Sequence, residues 1–413
     1  VNATVAKYLR TRAVSGAWPL ETAGSGGIRR VVVVPAFAEE SSLDLTLTSL
    51  AANPSAMIEA TLVIVVVNNR EPGLASPDHI AENQRVLHRL RDRLDVSGLR
   101  LGVVDASSAG RELGKKDGVG MARKIGMDHA ISLLSGRKDG LIISLDADTQ
   151  VQPNYLAVVM SYFGENSCPA AVIEYEHDLT GPTAEAIARY EIFLRYHVMG
   201  LRLAGSPYAF HTIGSAMACT AGAYAAVSGM PRRQAGEDFY FLQSLAKEGP
   251  MGYITDTTVV PSSRASWRVP FGTGRSVSRQ IDSAEPLSTL YNPASYSVVG
   301  AWLRSLDPTL DAPAMLKRAA DIHPELARFL GKANFAEFWT GLKKRAGRRA
   351  QVHAEFHRWF DGFRTLKLIH HFRDSGLPDT EMFEAVRELT GFDGRTPREV
   401  LCELRRRLRE EES

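Results

Sequence analysis

LIISLDADTQVQPNYL, residues 141–156, is the stretch from which the rest of the chain is read. An apolar, β-branched run ends on two carboxylates, Asp146 and Asp148, with one small residue between them. In an open α/β sheet, chemistry gathers at the carboxyl ends of the strands. Two aspartates so placed can hold a divalent cation, Mn²⁺ or Mg²⁺, against a diphosphate, because hard cations take oxygen ligands and keep phosphate oxygens in their shell. The plain alternative is a strand followed by an Asp-capped turn into a helix at Pro153. Further along, RRQAGEDFYFLQSLAKEG (232–249) adds a second acidic pair, Glu237 and Asp238, at the start of an amphipathic helical pattern.

Working outward from the quoted stretch, the pattern is one of strands alternating with helices. Ile28 to Pro35 contains four consecutive valines bounded by proline and reads as a buried strand. A helix is expected from Glu39 to Ala52, with leucines at 43, 47 and 50, and a second apolar strand from Thr61 to Val67, stopping at Asn68-Asn69. Leu99 to Val104 is a third strand and Gly118 to Leu134 a helix. This alternation predicts a doubly wound, Rossmann-like α/β sheet. From about residue 280 the strand signal fades. The clearest later pattern runs from Arg349 to His371, with Val352, Phe356, Trp359, Phe360, Phe363 and Leu366 on one face. Thr396-Pro397-Arg398-Glu399 has the form of a capping box opening the last helix. The expected division is a leader over 1–29, a catalytic domain over 30–279 and a helical accessory region over 280–413.

Composition sets the bounds. At 413 residues, with 44% hydrophobic and 23% charged residues, the chain is of globular type and longer than one ordinary domain. A formal charge of +2 gives no case for nucleic acid. The three cysteines, Cys168, Cys219 and Cys402, lack metal spacing and read as core residues of a reducing compartment. No apolar run reaches the roughly eighteen residues that span a bilayer, and the N-terminus has no apolar signal core. The expectation is a cytoplasmic protein, with peripheral contact at the inner membrane face as the furthest departure from that.

Four segments together resemble the family-2 glycosyltransferases. VVVVPAFAEE (31–40) is similar to their opening strand and turn, and GVGMARKIGMDHA (118–130) to their Gly-x-Ala-Arg-x-x-Gly helix. LDADTQVQPNYL matches their DxD motif, and GSAMACTAGAYAAVSGMPRRQAGEDFYFL (214–242) resembles their acceptor-side segment with its Glu-Asp pair. The resemblance implies a GT-A fold (a doubly wound mixed sheet) and transfer of a sugar from a nucleotide diphosphate donor with a divalent metal. It places Pro35, Phe37, Glu39, Asn68, Asn69, Arg123 and Asp146 at the donor, and Asp148 and Asp146 at the metal. Two departures stand out: Ala38 where the family has Asn, and Asn68-Asn69 where it has Asp-Asp. The Gln-x-x-Arg-Trp of processive synthases is replaced by SSRASWRVPFGTGR (262–275), with no membrane helix expected after it, which speaks against a processive polysaccharide synthase.

For an inverting transfer, a base must face the anomeric carbon opposite the leaving group. Asp238, as the second acid of the family-like Glu-Asp pair with Glu237, is the candidate the resemblance implies, at a helix start whose positive end favours the anion; ordinary acidic capping is the alternative. Arg123 is placed to clamp phosphates. Tyr208, His211, Arg264, Trp267 and Arg268 are the acceptor-side candidates, for a saccharide, lipid-linked or small-molecule acceptor. Gly110 to Lys116 echoes a P-loop but lacks the final Ser/Thr, and HAEFH (353–357) is not a metalloprotease motif. Two other functions remain open: a sugar-phosphate nucleotidylyltransferase, for which PAFAEESS lacks the glycines, and a non-catalytic protein that binds a nucleotide sugar. The basic run Lys343, Lys344, Arg345, Arg348 and Arg349 offers an anionic lipid surface a docking site, whereas the aromatic stripe beside it calls for packing on protein, in this chain or in an oligomer.

Overall fold

Four valines in succession, 31–34, cannot alternate between core and solvent, so the strand that holds them must be covered on both faces. In the computed structural model, which describes residues 3–94, 98–137, 139–264, 280, 286–346 and 348–410, every residue of that strand is buried. It lies near the middle of a nine-stranded sheet ordered β1-β4-β3-β2-β5-β8-β7-β9-β6. The strands are β1 (Leu20–Thr22), β2 (Arg30–Ala36), β3 (Thr61–Asn68), β4 (Arg100–Ala106), β5 (Leu141–Ser144), β6 (Thr149–Val151), β7 (Ala170–Tyr175), β8 (Met217–Thr220) and β9 (Met251–Pro261). The helices up to β9 are α1 (Ala3–Thr11), α2 (Leu43–Ala51), α3 (Ser55–Glu59), α4 (Pro77–Arg91), α5 (Val119–Leu134), α6 (Tyr155–Glu165), α7 (Ala184–Leu203), α8 (Ala221–Ala226) and α9 (Glu237–Ala246).

The strands β4, β3, β2 and β5 are mutually parallel, as the strand–helix alternation predicts. Beyond β5 the sheet becomes mixed: β8 runs antiparallel to both β5 and β7, and β6 antiparallel to β9. β6 begins at Thr149, opposite Pro261 of β9. That register brings the residues just after β9 beside Asp148.

The chain divides into two units, one of residues 1–184 and 212–279 and the other of 185–211 and 280–413. The first carries the sheet. The stretch 1–29, expected as an irregular leader, is built into it: β1 pairs with β4, and α1 buries Val5 and Tyr8. The Tyr8 hydroxyl donates to Asp128 on α5, and the same carboxylate accepts from Val14 N at 2.8 Å and from the Tyr224 hydroxyl at 2.7 Å. Polar side chains on an otherwise buried helix are thus satisfied by the N-terminal segment, which an apolar pattern cannot reveal.

The second unit is helical and has its own aromatic core, centred on Trp302, Phe335, Trp339, Phe356, Phe360 and Phe372. The single helix expected over 349–371 is two, Arg349–Trp359 and Gly362–Asp374. Asp361 caps the second, accepting from Arg364 N at 3.0 Å, and the break resets the phase of the stripe. Val352, Phe356 and Phe360 are buried before it, and Thr365, Leu368, Ile369 and Phe372 after it. Within the same unit the buried Glu191 carboxylate is shared by Arg195 on α7 and Arg405 of the last helix, at 2.7 and 2.8 Å. The capping box forms, with Glu399 N donating to Thr396 Oγ1 and Thr396 N to Glu399. Among the described residues no helix is long and apolar enough to cross a membrane.

Candidate active site

β5 stops at Ser144, and the chain beyond it carries Asp146 and Asp148 past the carboxyl ends of the parallel strands. Thr46 on α2 holds the turn by donating to Ala147 O at 3.0 Å. The two aspartates then face different partners, and two clusters result.

In the first, Arg123 projects from α5 as a residue only 3% exposed. Nε donates to Ser144 Oγ at 3.2 Å, Nη1 to Glu237 and Nη2 to Asp146. Burial works against the charge of Arg123, but Asp146, Glu237 and Asp238 hold its pKa above the ordinary arginine value. Gly214 leaves room for it: a Cβ there would lie 2.2 Å from Arg123 Nη2. The segment before α9 is seated on the start of α5, where Gly120 N donates to Arg233 O at 3.2 Å. A Cβ on Gly120 would meet the backbone oxygens of Pro231 and Arg233 at 2.7 Å. The glycines at 120 and 214 therefore let a helix start and a strand start approach one arginine.

Asp238 is the second residue of α9, half-buried, and its Oδ1 accepts from Phe239 N at 2.8 Å. Crowding by protein, then the charge of neighbouring Glu237, push its pKa up to about 7; Arg123 and the Phe239 hydrogen bond oppose this and lose. A carboxyl in this state exchanges its proton near neutral pH, which suits a general base.

In the second cluster, Arg264 follows β9 and reaches back to Glu39 and Asp148. Nη2 contacts both oxygens of Glu39 and lies 2.9 Å from Asp148 Oδ2, and Nη1 is 3.4 Å from Ser42 Oγ. Ser42 also donates to Glu39.

The other sequence candidates divide between the two units. Pro35 is within β2, and Phe37 meets His79 edge-on at 5.3 Å between centroids. Asn68 and Asn69 brace the backbone: Asn68 Nδ2 donates to Ala36 O at 3.1 Å, and Asn83 Nδ2 donates to Asn68 O and Asn69 Oδ1, each at 3.0 Å. Asn83 also accepts from Ala38 N at 3.0 Å. Its side chain was not singled out in the sequence, where it is one polar residue in a helix; its spacing to Val86, Leu87 and Leu90 on the buried face was the available signal. Tyr208 and His211 belong to the helical unit, where the Tyr208 hydroxyl donates to His357 O at 2.7 Å and His211 is buried. Trp267 and Arg268 lie outside the described residues. In the helical unit, His371 pairs with Glu325 at 3.0 Å and His370 with the Tyr291 hydroxyl at 2.9 Å. Lys343 of the basic run donates to the Thr309 and Leu310 carbonyls.

The donor set for a divalent cation can be tested directly. Asp146 is engaged by Arg123, and Asp148 and Glu39 are engaged by Arg264. Among the described residues no three His, Cys, Asp or Glu side chains gather as a metal shell. A cation at either aspartate would have to compete with the guanidinium already held there.

No family model and no curated protein matches the chain. Among solved structures, the chain is similar to residues 1–349 of S. aureus TarS in complex with UDP-GlcNAc, at 12% identity over 82% of this chain and 92% of that one, with a TM-score of 0.40. It is similar also to the mannosyltransferase PcManGT from Pyrobaculum calidifontis in complex with GDP-Man and Mn²⁺, at 14% identity over 87% and 93%, with a TM-score of 0.38. A mycobacterial protein matches at 17% identity over 63% and 70%, with a TM-score of 0.32. These likenesses are distant, and the functional reading rests on the residues.

Proposed function

We propose that the chain is a glycosyltransferase with a GT-A-like sheet unit, moving a sugar from a nucleotide diphosphate sugar to a hydroxyl acceptor with inversion. One observation carries this: side chains from three of the four segments that resemble the family meet directly, and Glu39 of the remaining one is bridged to Asp148 through Arg264. Glu39 and Asp148 share Arg264, Arg123 joins Asp146 to Glu237, and Gly214 makes room for Arg123.

In the proposed reaction Asp238 takes the proton from the acceptor hydroxyl as its oxygen attacks the anomeric carbon. The bond to the diphosphate breaks on the opposite face. Glu237 keeps the proton affinity of Asp238 high enough to accept, and Arg123 limits how high it rises. A leaving diphosphate needs its charge offset as it departs, and preorganised cationic groups in a site shielded from water are worth more there than in water. Arg264, part-exposed beside Asp148, is the guanidinium proposed for that task, Arg123 being buried among its own partners.

The test is release of nucleoside diphosphate from a panel of UDP- and GDP-sugars in the presence of simple saccharide acceptors, with product configuration followed by NMR. Turnover with inversion, lost in Asp238→Asn, is expected. Pyrophosphate release from a sugar 1-phosphate and a nucleoside triphosphate would instead indicate the nucleotidylyltransferase. Donor binding without turnover would indicate the non-catalytic protein.

A further inference from the structure

We propose that Arg264 is the built-in cation of this site, holding with a guanidinium the place between Glu39 and Asp148 where a divalent metal would otherwise be bound, so that the protein engages a diphosphate without one. The proposal rests on the transferase reading for what the site does, though not for what it binds.

Three features support it. The first is position. Arg264 lies three residues beyond β9, whose Pro261 is opposite Thr149 of β6, so the strand register itself delivers its side chain to Asp148. The second is charge. Two carboxylates from distant parts of the chain, Glu39 and Asp148, converge on one guanidinium. Arginine stays protonated under any working condition, so the counter-charge is permanent. The third is geometry. One nitrogen, Nη2, serves both carboxylates, as a shared cation would. A metal bound to Glu39 and Asp148 would have to displace this guanidinium or share its ligands at a distance where two cations repel strongly.

Mn²⁺ binding to the purified full chain, read by electron paramagnetic resonance, tests the assignment without any assay of transfer. The wild type is expected to bind Mn²⁺ no more tightly than millimolar. Arg264→Gln removes the charge and keeps hydrogen-bonding capacity; it should bind Mn²⁺ at least about tenfold more tightly, since the repulsion of a neighbouring positive charge is lost. Arg264→Lys keeps the charge and should stay weak, and adding Asp148→Asn to Arg264→Gln should abolish the gain. Circular dichroism establishes that each variant is folded. Micromolar Mn²⁺ binding by the wild type, or unchanged binding in folded Arg264→Gln, would overturn the proposal. Where the wild type turns over a nucleotide sugar, the rate should be the same in EDTA as in Mn²⁺; strict dependence on Mn²⁺ would also overturn it. A chain that turns over no nucleotide sugar but shows the Mn²⁺ pattern would leave Arg264 as the cation and count against transfer alone.

Discussion

Replacing Asp238 with Asn should make the enzyme worse and the protein more stable, and the second effect should depend on pH. A carboxyl at the first turn of a helix is normally favoured as the anion, by about 0.3–1 kcal/mol. Asp238 goes the other way: burial and then Glu237 raise its pKa from 3.8 to about 7. A carboxyl whose folded pKa lies above its unfolded one binds its proton more tightly in the folded state. The folded state is therefore favoured at low pH, and loses stability as pH climbs from about 4 to about 7, at up to about 1.4 kcal/mol per unit. Three units would give a ceiling of about 4 kcal/mol; Asp238 keeps solvent contact and shares its titration with Glu237, so about half of that is the working figure. Asparagine has no proton to lose. In Asp238→Asn the gain should be near zero at pH 4 and about 2 kcal/mol at pH 8, a rise in Tm of about 4–8 °C there. Turnover should fall by about 10²–10⁴ while donor affinity holds. In the wild type, kcat/KM should rise with pH through a limb near 7, because the base works deprotonated. Thermal unfolding of both proteins from pH 4 to 8, beside pH–rate profiles, checks all three. Equal Tm differences at both ends, with turnover retained, would show that Asp238 merely caps a helix and would refute the reasoning.

Substitutions at three further positions probe the frame. Gly214→Ala places a methyl 2.2 Å from Arg123 Nη2 and should displace the guanidinium from Asp146 and Glu237; a loss of about 1–3 kcal/mol in urea unfolding and at least about tenfold in turnover is expected. Ala38 sits at φ 53°, a left-handed conformation that costs an L residue about 1–2 kcal/mol, so Ala38→Gly should gain about 0.5 kcal/mol net and Ala38→Val should lose more than about 1 kcal/mol by denaturant titration. Asp361→Ala removes the cap on Arg364 N and should cost about 1 kcal/mol in the helical unit, read from the fluorescence of Trp302, Trp339 and Trp359.

The parallel strands were legible because runs such as Thr61–Asn68 are apolar throughout, and such a run flanked by turn residues has few other solutions. The antiparallel half was not, since β6 and β8 are three and four residues long and take their direction from distant partners. The break at Phe360-Asp361 was hidden because apolar residues continue on both sides of it. Only the cap geometry, Asp361 before Arg364, marked it. The built-in N-terminal segment was hidden for a related reason: its anchor is a set of hydrogen bonds to Asp128, and sequence spacing carries no sign of a partner 114 or 120 residues away.

At the site, the acidic residues were legible and their counter-charges less so. Asp146, Asp148, Glu237 and Asp238 stand next to strand and helix boundaries, where spacing alone points to a carboxyl end or a helix start. Arg264 was grouped with the acceptor side, in the segment that stands in place of the Gln-x-x-Arg-Trp of processive synthases. Its contact with Asp148 depends on β9 running antiparallel to β6, a fact about tertiary pairing. The same holds for Arg123, whose three hydrogen-bond partners come from β5, the turn after it and α9. A buried arginine that joins two acids is destabilising to lose, because removing one partner of a desolvated ion pair leaves the others uncompensated, at about 3–5 kcal/mol. Arg123→Met should therefore unfold the sheet unit at lower denaturant even if the site were inert, and stability alone cannot distinguish a structural arginine from a functional one. The pH limb can. Arg123 holds the pKa of Asp238 down, so in a folded Arg123→Gln protein the limb should move above 7. A limb that stays in place would mean that Arg123 serves the fold and leaves the base unaffected.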